Sequence, residues 1–170
     1  MKNRSSGFTL IEMIVVMTII MILAGLITGA AMKAKQRALV TQTKAMISGL
    51  ETALGMFQMD IGGYPTSAAG NNTNLVTNLT TLGGTYYIGT YGPYTVVATS
   101  GWSGPYMNFK TGDLVSGSVV DAWLRAYHYT RPGTVHAGGP DYTTYIDIYS
   151  DGPNKADNGG GVDDISNWTR

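Results

Sequence analysis

Apolar and polar positions fall along this chain in two regimes. From Met13 to Met32, twenty consecutive residues carry no charge, and about twenty apolar residues span a bilayer. Beyond them the apolar positions thin to a stripe: Met46, Leu50, Ala53, Leu54 and Phe57 recur as one face of an amphipathic helix. Lys44, Glu51, Thr52 and Gln58 fall elsewhere, and Gly62-Gly63-Tyr64-Pro65 ends the pattern. The spacing predicts one helix from Phe8 to about Asp60, 53 residues and roughly 80 Å long. Its first half would lie in lipid or a filament core, and its second half would present one face to a globular head.

After the helix the pattern weakens. Asn74–Leu79 reads as a short helix or turn, and Tyr86-Tyr87-Ile88 and Tyr94–Ala98 read as strands. Ser118–Trp123 leads into Ala126–Thr130, and Tyr142–Tyr149 follows, dense in β-branched and aromatic residues. Two or three antiparallel strands against the amphipathic half of the helix make an α+β fold. Trp102, Tyr86, Tyr87, Tyr91 and Tyr94 cluster in the middle segment; such residues more often pack a small core than bind a ligand.

Composition narrows the picture. Of 170 residues, 11 are Lys or Arg and 11 Asp or Glu, so no basic balance points to nucleic acid. The chain has no cysteine, which excludes a disulfide framework and a Cys-based zinc site. His128 and His136 are too few for a His-rich metal site and read as exposed loop or edge-strand residues. No Ser/His/Asp set or phosphate loop appears, so the chain is not read as an enzyme.

One charge breaks the apolar regime. Glu12 stands at its start, and an acid inside a membrane span costs roughly 2.5–3.5 kcal/mol at the centre and less toward the end. Either it lies near the headgroups, where the helix dipole favours it, or it has a cationic partner. The basic residues leave the orientation open, since Lys2 and Arg4 precede the helix and Lys33, Lys35 and Arg37 follow it. Gly25, Thr28 and Gly29 weaken the helix mid-span; local unwinding and close helix packing both fit them.

Gly7-Phe8-Thr9-Leu10-Ile11-Glu12 resembles the processing motif of type IV pilins and type II secretion pseudopilins. The resemblance implies that a prepilin peptidase cuts between Gly7 and Phe8 and methylates the Phe8 amine. It implies that Glu12 faces the Phe8 amine of a neighbouring subunit, and that Phe8 begins on the cytoplasmic side. The chain then divides into a leader (1–7), a transmembrane and filament-core helix (8–32), an amphipathic helix (33–62) and a globular α+β head (63–170). Asp60, Gly62, Tyr64, Pro65 and Thr66 are similar to a stretch of the major pseudopilins, as is Gly104-Pro105-Tyr106. Asp121, Trp123, Tyr127 and Tyr129 match an Asp-Pro-Trp-Gly-x-Pro-Tyr-x-Tyr motif, from which Ala122, Leu124 and Ala126 depart.

The C-terminal end is acidic: Asp147, Asp151, Asp157, Asp163 and Asp164 fall within eighteen residues. The spacing is not that of an EF-hand, because Val162 stands where the twelfth-position Glu belongs. The stretch resembles the calcium loop of major pseudopilins. That implies side-chain oxygens from Asp151, Asp163 and Asp164, backbone carbonyls from Ile148 and Ser150, and Trp168 pinning the tail.

The resulting expectation is a structural subunit of a type II secretion pseudopilus, polymerising through its N-terminal helix to drive protein export. Its implied partners are further copies of the chain, the prepilin peptidase, an inner-membrane assembly platform and minor pseudopilins. Its implied place is the bacterial inner membrane, single-pass, with the head in the periplasm. The alternative is a type IV pilus pilin, against which the missing cysteines and the acidic loop speak.

Overall fold

A computed structural model describes residues 7–66, 72–81, 86–88, 101–131, 133 and 146–169; the side chains of 26–28 and 86–88 are outside the description. The chain divides into two compact units, Met1–Ala38 and Leu39–Arg170. Helix α1, Leu10–Ile61, begins in the first and ends in the second, and its backbone is helical through Gly25 and Gly29.

In the first unit the described apolar side chains of α1 are exposed, among them Leu10, Ile14, Met17, Ile20 and Leu23. Helix α1 is long and apolar enough to cross a membrane, and none of its most apolar window is buried.

In the second unit α1 supplies the core. Thr43, Ile47, Leu50, Leu54 and Phe57 are buried, with Ala53 beside them. The stripe therefore alternates four- and three-residue steps, which keeps one helix face inward. Met46, expected on this face, is only partly buried, and Ile47 holds the core position. Helix α2, Thr73–Thr80, adds Leu75, Val76 and Leu79 to the core.

Among the described residues, three small antiparallel sheets complete the head. Strand β1 (Gly63–Pro65) pairs with β2 (Tyr86–Ile88), β3 (Leu114–Val115) with β4 (Ser118–Val119), and β5 (His128–Thr130) with β6 (Asp147–Ser150) and then β7 (Ile165–Ser166). Val119, Tyr127, Tyr129, Ile148 and Ile165 face the helix as the sheet side of the core. Tyr129 donates from its hydroxyl to the Pro65 carbonyl at 2.9 Å, tying β5 to β1. Asn72, 1 % exposed, joins the layers: Nδ2 donates to the Val119 and Tyr127 carbonyls, each at 2.9 Å, and Oδ1 accepts from Val119 N–H at 2.7 Å.

The fold is the expected α+β arrangement with shifted boundaries. The strand expected over 142–149 is observed as Asp147–Ser150, and residues 142–145 lie outside the described residues, as do Tyr91 and the strand expected at 94–98. Trp102 packs edge-on to Tyr106, which packs edge-on to Phe57, so this part of the aromatic cluster is core. The turn after β4 forms despite its departures from the motif. Asp121 Oδ1 accepts from the Trp123 and Arg125 N–H groups, both at 2.9 Å, and Asp121 N–H donates to the Arg125 carbonyl at 2.8 Å. Leu124, where the motif has Gly, takes a φ of 64°.

Candidate functional site

Two places carry the expected function, and the first is the start of α1. Gly7 and Phe8 precede the helix, and both are exposed. Thr9 and Glu12 close on each other. The Thr9 N–H and its hydroxyl both donate to Glu12 Oε2 at 2.9 Å, and the Glu12 N–H approaches Thr9 Oγ1 at 3.4 Å. This is a reciprocal capping box, which satisfies orphan donors at a helix start. Its Thr-x-x-Glu signature stands in the sequence. Glu12 has no cationic partner within the described chain; the exposed carboxylate sits among exposed apolar side chains.

The second place is the acidic loop after β6. Asp163 accepts from the backbone N–H of Asn154 at 3.0 Å and from the Asn154 side-chain amide. Asp164 Oδ2 accepts from the Asn158 and Gly160 N–H groups, each at 2.9 Å. Asp164 Oδ1 is buried without a hydrogen-bond partner. Burial pushes the Asp164 carboxyl above the ordinary carboxylate range; the two N–H donors oppose this, and Asp157 and Asp151 add to it.

Two glycines are required by close approach. At Gly152 a Cβ would stand 2.2 Å from the Asp163 carbonyl oxygen, and at Gly160 it would meet the Trp168 ring. Trp168 also packs edge-on to Tyr149 at 5.9 Å, so it does hold the tail over the loop. Val162, β-branched and 92 % exposed, adopts a φ of 58° just before the two acids, a conformation such residues rarely take.

Asp151 faces the other way. It is 1 % exposed; Arg125 Nε donates to its Oδ2 at 2.9 Å, and His128 Nε2 donates to its Oδ1 at 2.6 Å. The Ile148 carbonyl accepts from Asn167 N–H at 3.0 Å. Ser150 is fully buried, and its hydroxyl donates to Asp121 Oδ2 at 2.5 Å. The structure thus brings Asp163 and Asp164 into one loop closure and turns Asp151 toward His128 and Arg125. Among the described residues the only three-residue group of possible metal donors that converges is His128, Asp151 and Asp157, within 4.8 Å of one another. His128 lies on the edge strand β5, as read from the sequence. Its proximity to two acids was not read, because twenty-three residues separate it from Asp151. Asn167 was also missed: its side chain bridges Ile148 N–H, the Ile146 carbonyl and Glu51 of α1.

A long apolar helix with a capped acid at its exposed start, running into a small α+β head, defines a filament subunit of the type IV pilin-like class. Residues 2–28 match the family described as the prokaryotic N-terminal methylation motif, and residues 30–168 match "Type II secretion system (T2SS), protein G". The chain belongs to the type II secretion system protein G family. It is similar to the type II secretion system core protein G of Pseudomonas aeruginosa, 32% identical over 98% of this chain and 97% of that one. The protein of the same name from Aeromonas hydrophila is 29% identical over 98% of this chain and 94% of its own length. The crystal structure of the major pseudopilin from the type 2 secretion system of enterohaemorrhagic Escherichia coli is 26% identical, covering 82% of this chain and 94% of that chain, with a TM-score of 0.43. Family membership rests on the sequence matches. It makes the chain a structural subunit rather than an enzyme, and favours secretion over a type IV pilus pilin.

Proposed function

We propose that this chain is processed between Gly7 and Phe8 by a prepilin peptidase and polymerises through α1 into the pseudopilus of a type II secretion system. The observation that carries this is the exposed apolar face of α1 with Glu12 inside it. Lipid accommodates the apolar side chains, but the carboxylate is stabilised there only by a cation with hydrogen bonds. The amine released at Phe8 of a neighbouring copy is such a cation. The Thr9 cap holds the Glu12 carboxylate at the helix start, where a neighbour's amine can reach it. The chain then sits in the inner membrane before assembly, with its head in the periplasm. An assembly platform and minor pseudopilins are its partners there.

Gly7–Phe8 lies in exposed, non-helical backbone, as proteolysis requires. Mass spectrometry of the chain purified from its own host tests the processing step. The expected mass begins at Phe8 with one added methyl group; a chain that begins at Met1 overturns it.

The acidic loop fits a hard cation, because its donors are oxygens and Asp164 Oδ1 is buried with no partner. Calcium, when bound, supplies positive charge directly between these carboxylates. Asp164 offers Oδ1 and Asp163 its carboxylate; Asp151, expected beside them, gives its two oxygens to Arg125 and His128. Ile148 and Ser150 offer backbone carbonyls. Gly152 lets the chain pass the Asp163–Asp164 peptide closely enough for the loop to close. Calorimetry with millimolar calcium tests the site; at one hundred times the dissociation constant the gain is about 2.7 kcal/mol, or about 5–10 °C in Tm.

A further inference from the structure

The calcium reading leaves one cluster unexplained. Calcium selects oxygen donors, whereas an imidazole suits borderline metals such as zinc. His128 stands against the same loop with its ring stacked on Tyr149, centroids 4.4 Å apart and planes within 5°. Its Nε2–H donates to Asp151 Oδ1 at 2.6 Å. That bond fixes the proton on Nε2, so the neutral ring carries its lone pair on Nδ1. Nδ1 faces Asp157 Oδ2 at 4.0 Å.

The supporting groups are already in place. Asp157 Oδ1 accepts from the Tyr149 hydroxyl at 3.2 Å and from Gly159 N–H at 2.9 Å, which fixes the carboxylate and leaves Oδ2 without a donor among the described residues. Burial, then Asp157, pushes the Tyr149 phenol up to about 12, so it remains a donor. Asp151 is held from behind by Arg125. A histidine that gives its second N–H to a carboxylate is the usual arrangement of a metal-ligating imidazole. Zinc binds nitrogen and carboxylate oxygen at about 2.0–2.2 Å, so tetrahedral donors stand about 3.4 Å apart. The observed gap needs to close by only about half an ångström to reach that separation. The His128 and Asp157 side chains are 31% and 50% exposed, which gives an ion a path in and leaves room for water to fill the remaining positions.

We propose that His128 Nδ1 and Asp157 Oδ2 form a zinc site, with Asp151 as the positioning carboxylate on His128 Nε2. This goes beyond the calcium loop: it uses an imidazole that calcium does not take, and Asp164, whose inner oxygen is free, does not belong to it. The ion takes the ring in its neutral form, with the proton kept on Nε2 by Asp151.

The test is a calorimetric titration of the full chain in detergent micelles with zinc chloride, in saturating calcium. One zinc ion per chain is expected. His128→Gln and Asp157→Asn are each expected to weaken binding at least tenfold, with calcium stabilisation unchanged and far-UV circular dichroism confirming the fold. Rescue of zinc binding by Asp157→Glu would support a direct carboxylate ligand. Absence of zinc binding, undiminished binding in His128→Gln, or displacement of zinc by calcium would overturn the proposal. Because calcium is saturating and its own response is read in the same variants, failure of the calcium site registers separately.

Discussion

Single residues here carry conformations that only their neighbours explain. Leu124 takes a left-handed φ of 64° in the turn that Asp121 builds, a region costing an L-residue roughly 1–2 kcal/mol. Leu124→Gly is therefore expected to raise the urea midpoint, with a net gain of about 0.5–1 kcal/mol after the entropy of the unfolded glycine. Asp164→Asn tests the acidic loop at the same scale. It removes a charge that burial disfavours, so without calcium the variant should be at least as stable as the parent by calorimetry. In millimolar calcium it should fall below the parent by about 2–3 kcal/mol, the lost binding contribution. The sequence showed the acids of this loop but not their directions. Asp151 could be counted as a loop acid, yet its burial against Arg125 and His128 follows from how β5 and β6 pair. The Thr9–Glu12 cap, not foreseen from the sequence, is by contrast a local pattern, because both partners lie within one helical turn.

Elements were legible where a period was long enough to read. The helix spanning both regimes was foreseen to within two residues at its start and one at its end. Its inward stripe was placed one residue off at Met46, since Met46 and Ile47 are both apolar and only packing chooses between them. Strands of two or three residues, such as β3, β4 and β7, carry no usable period, and β7 was not foreseen at all. What holds these short elements is long-range contact. Phe57, 1 % exposed, is the last large side chain of the stripe, and Phe57→Ala should cost about 3–5 kcal/mol by chemical denaturation. Asn72→Ala should cost about 3 kcal/mol, because it strips the side-chain partner from Val119 N–H and the Tyr127 carbonyl, while the Val119 carbonyl keeps only Tyr127 N–H. A smaller loss would mean that water or a shifted backbone replaces the amide.

At the scale of the whole molecule, the chain separates what it needs alone from what it needs in company. The head buries its own core and orders its acidic tail through Asn167 and Trp168. The first unit buries none of its most apolar window, so its stability belongs to lipid or to other copies. Family membership was legible because the motifs at both ends are local strings; the donor geometry of the loop was not, because it depends on contacts between strands distant in sequence. The account turns on Glu12, exposed and without a cation among the described residues. The most direct measurement is the yield of sheared filaments from cells that carry the complete secretion system and express Glu12→Gln in place of the parent chain. The account predicts normal membrane levels and processing at Phe8 with filaments reduced at least tenfold; parental filament yield from Glu12→Gln would contradict it.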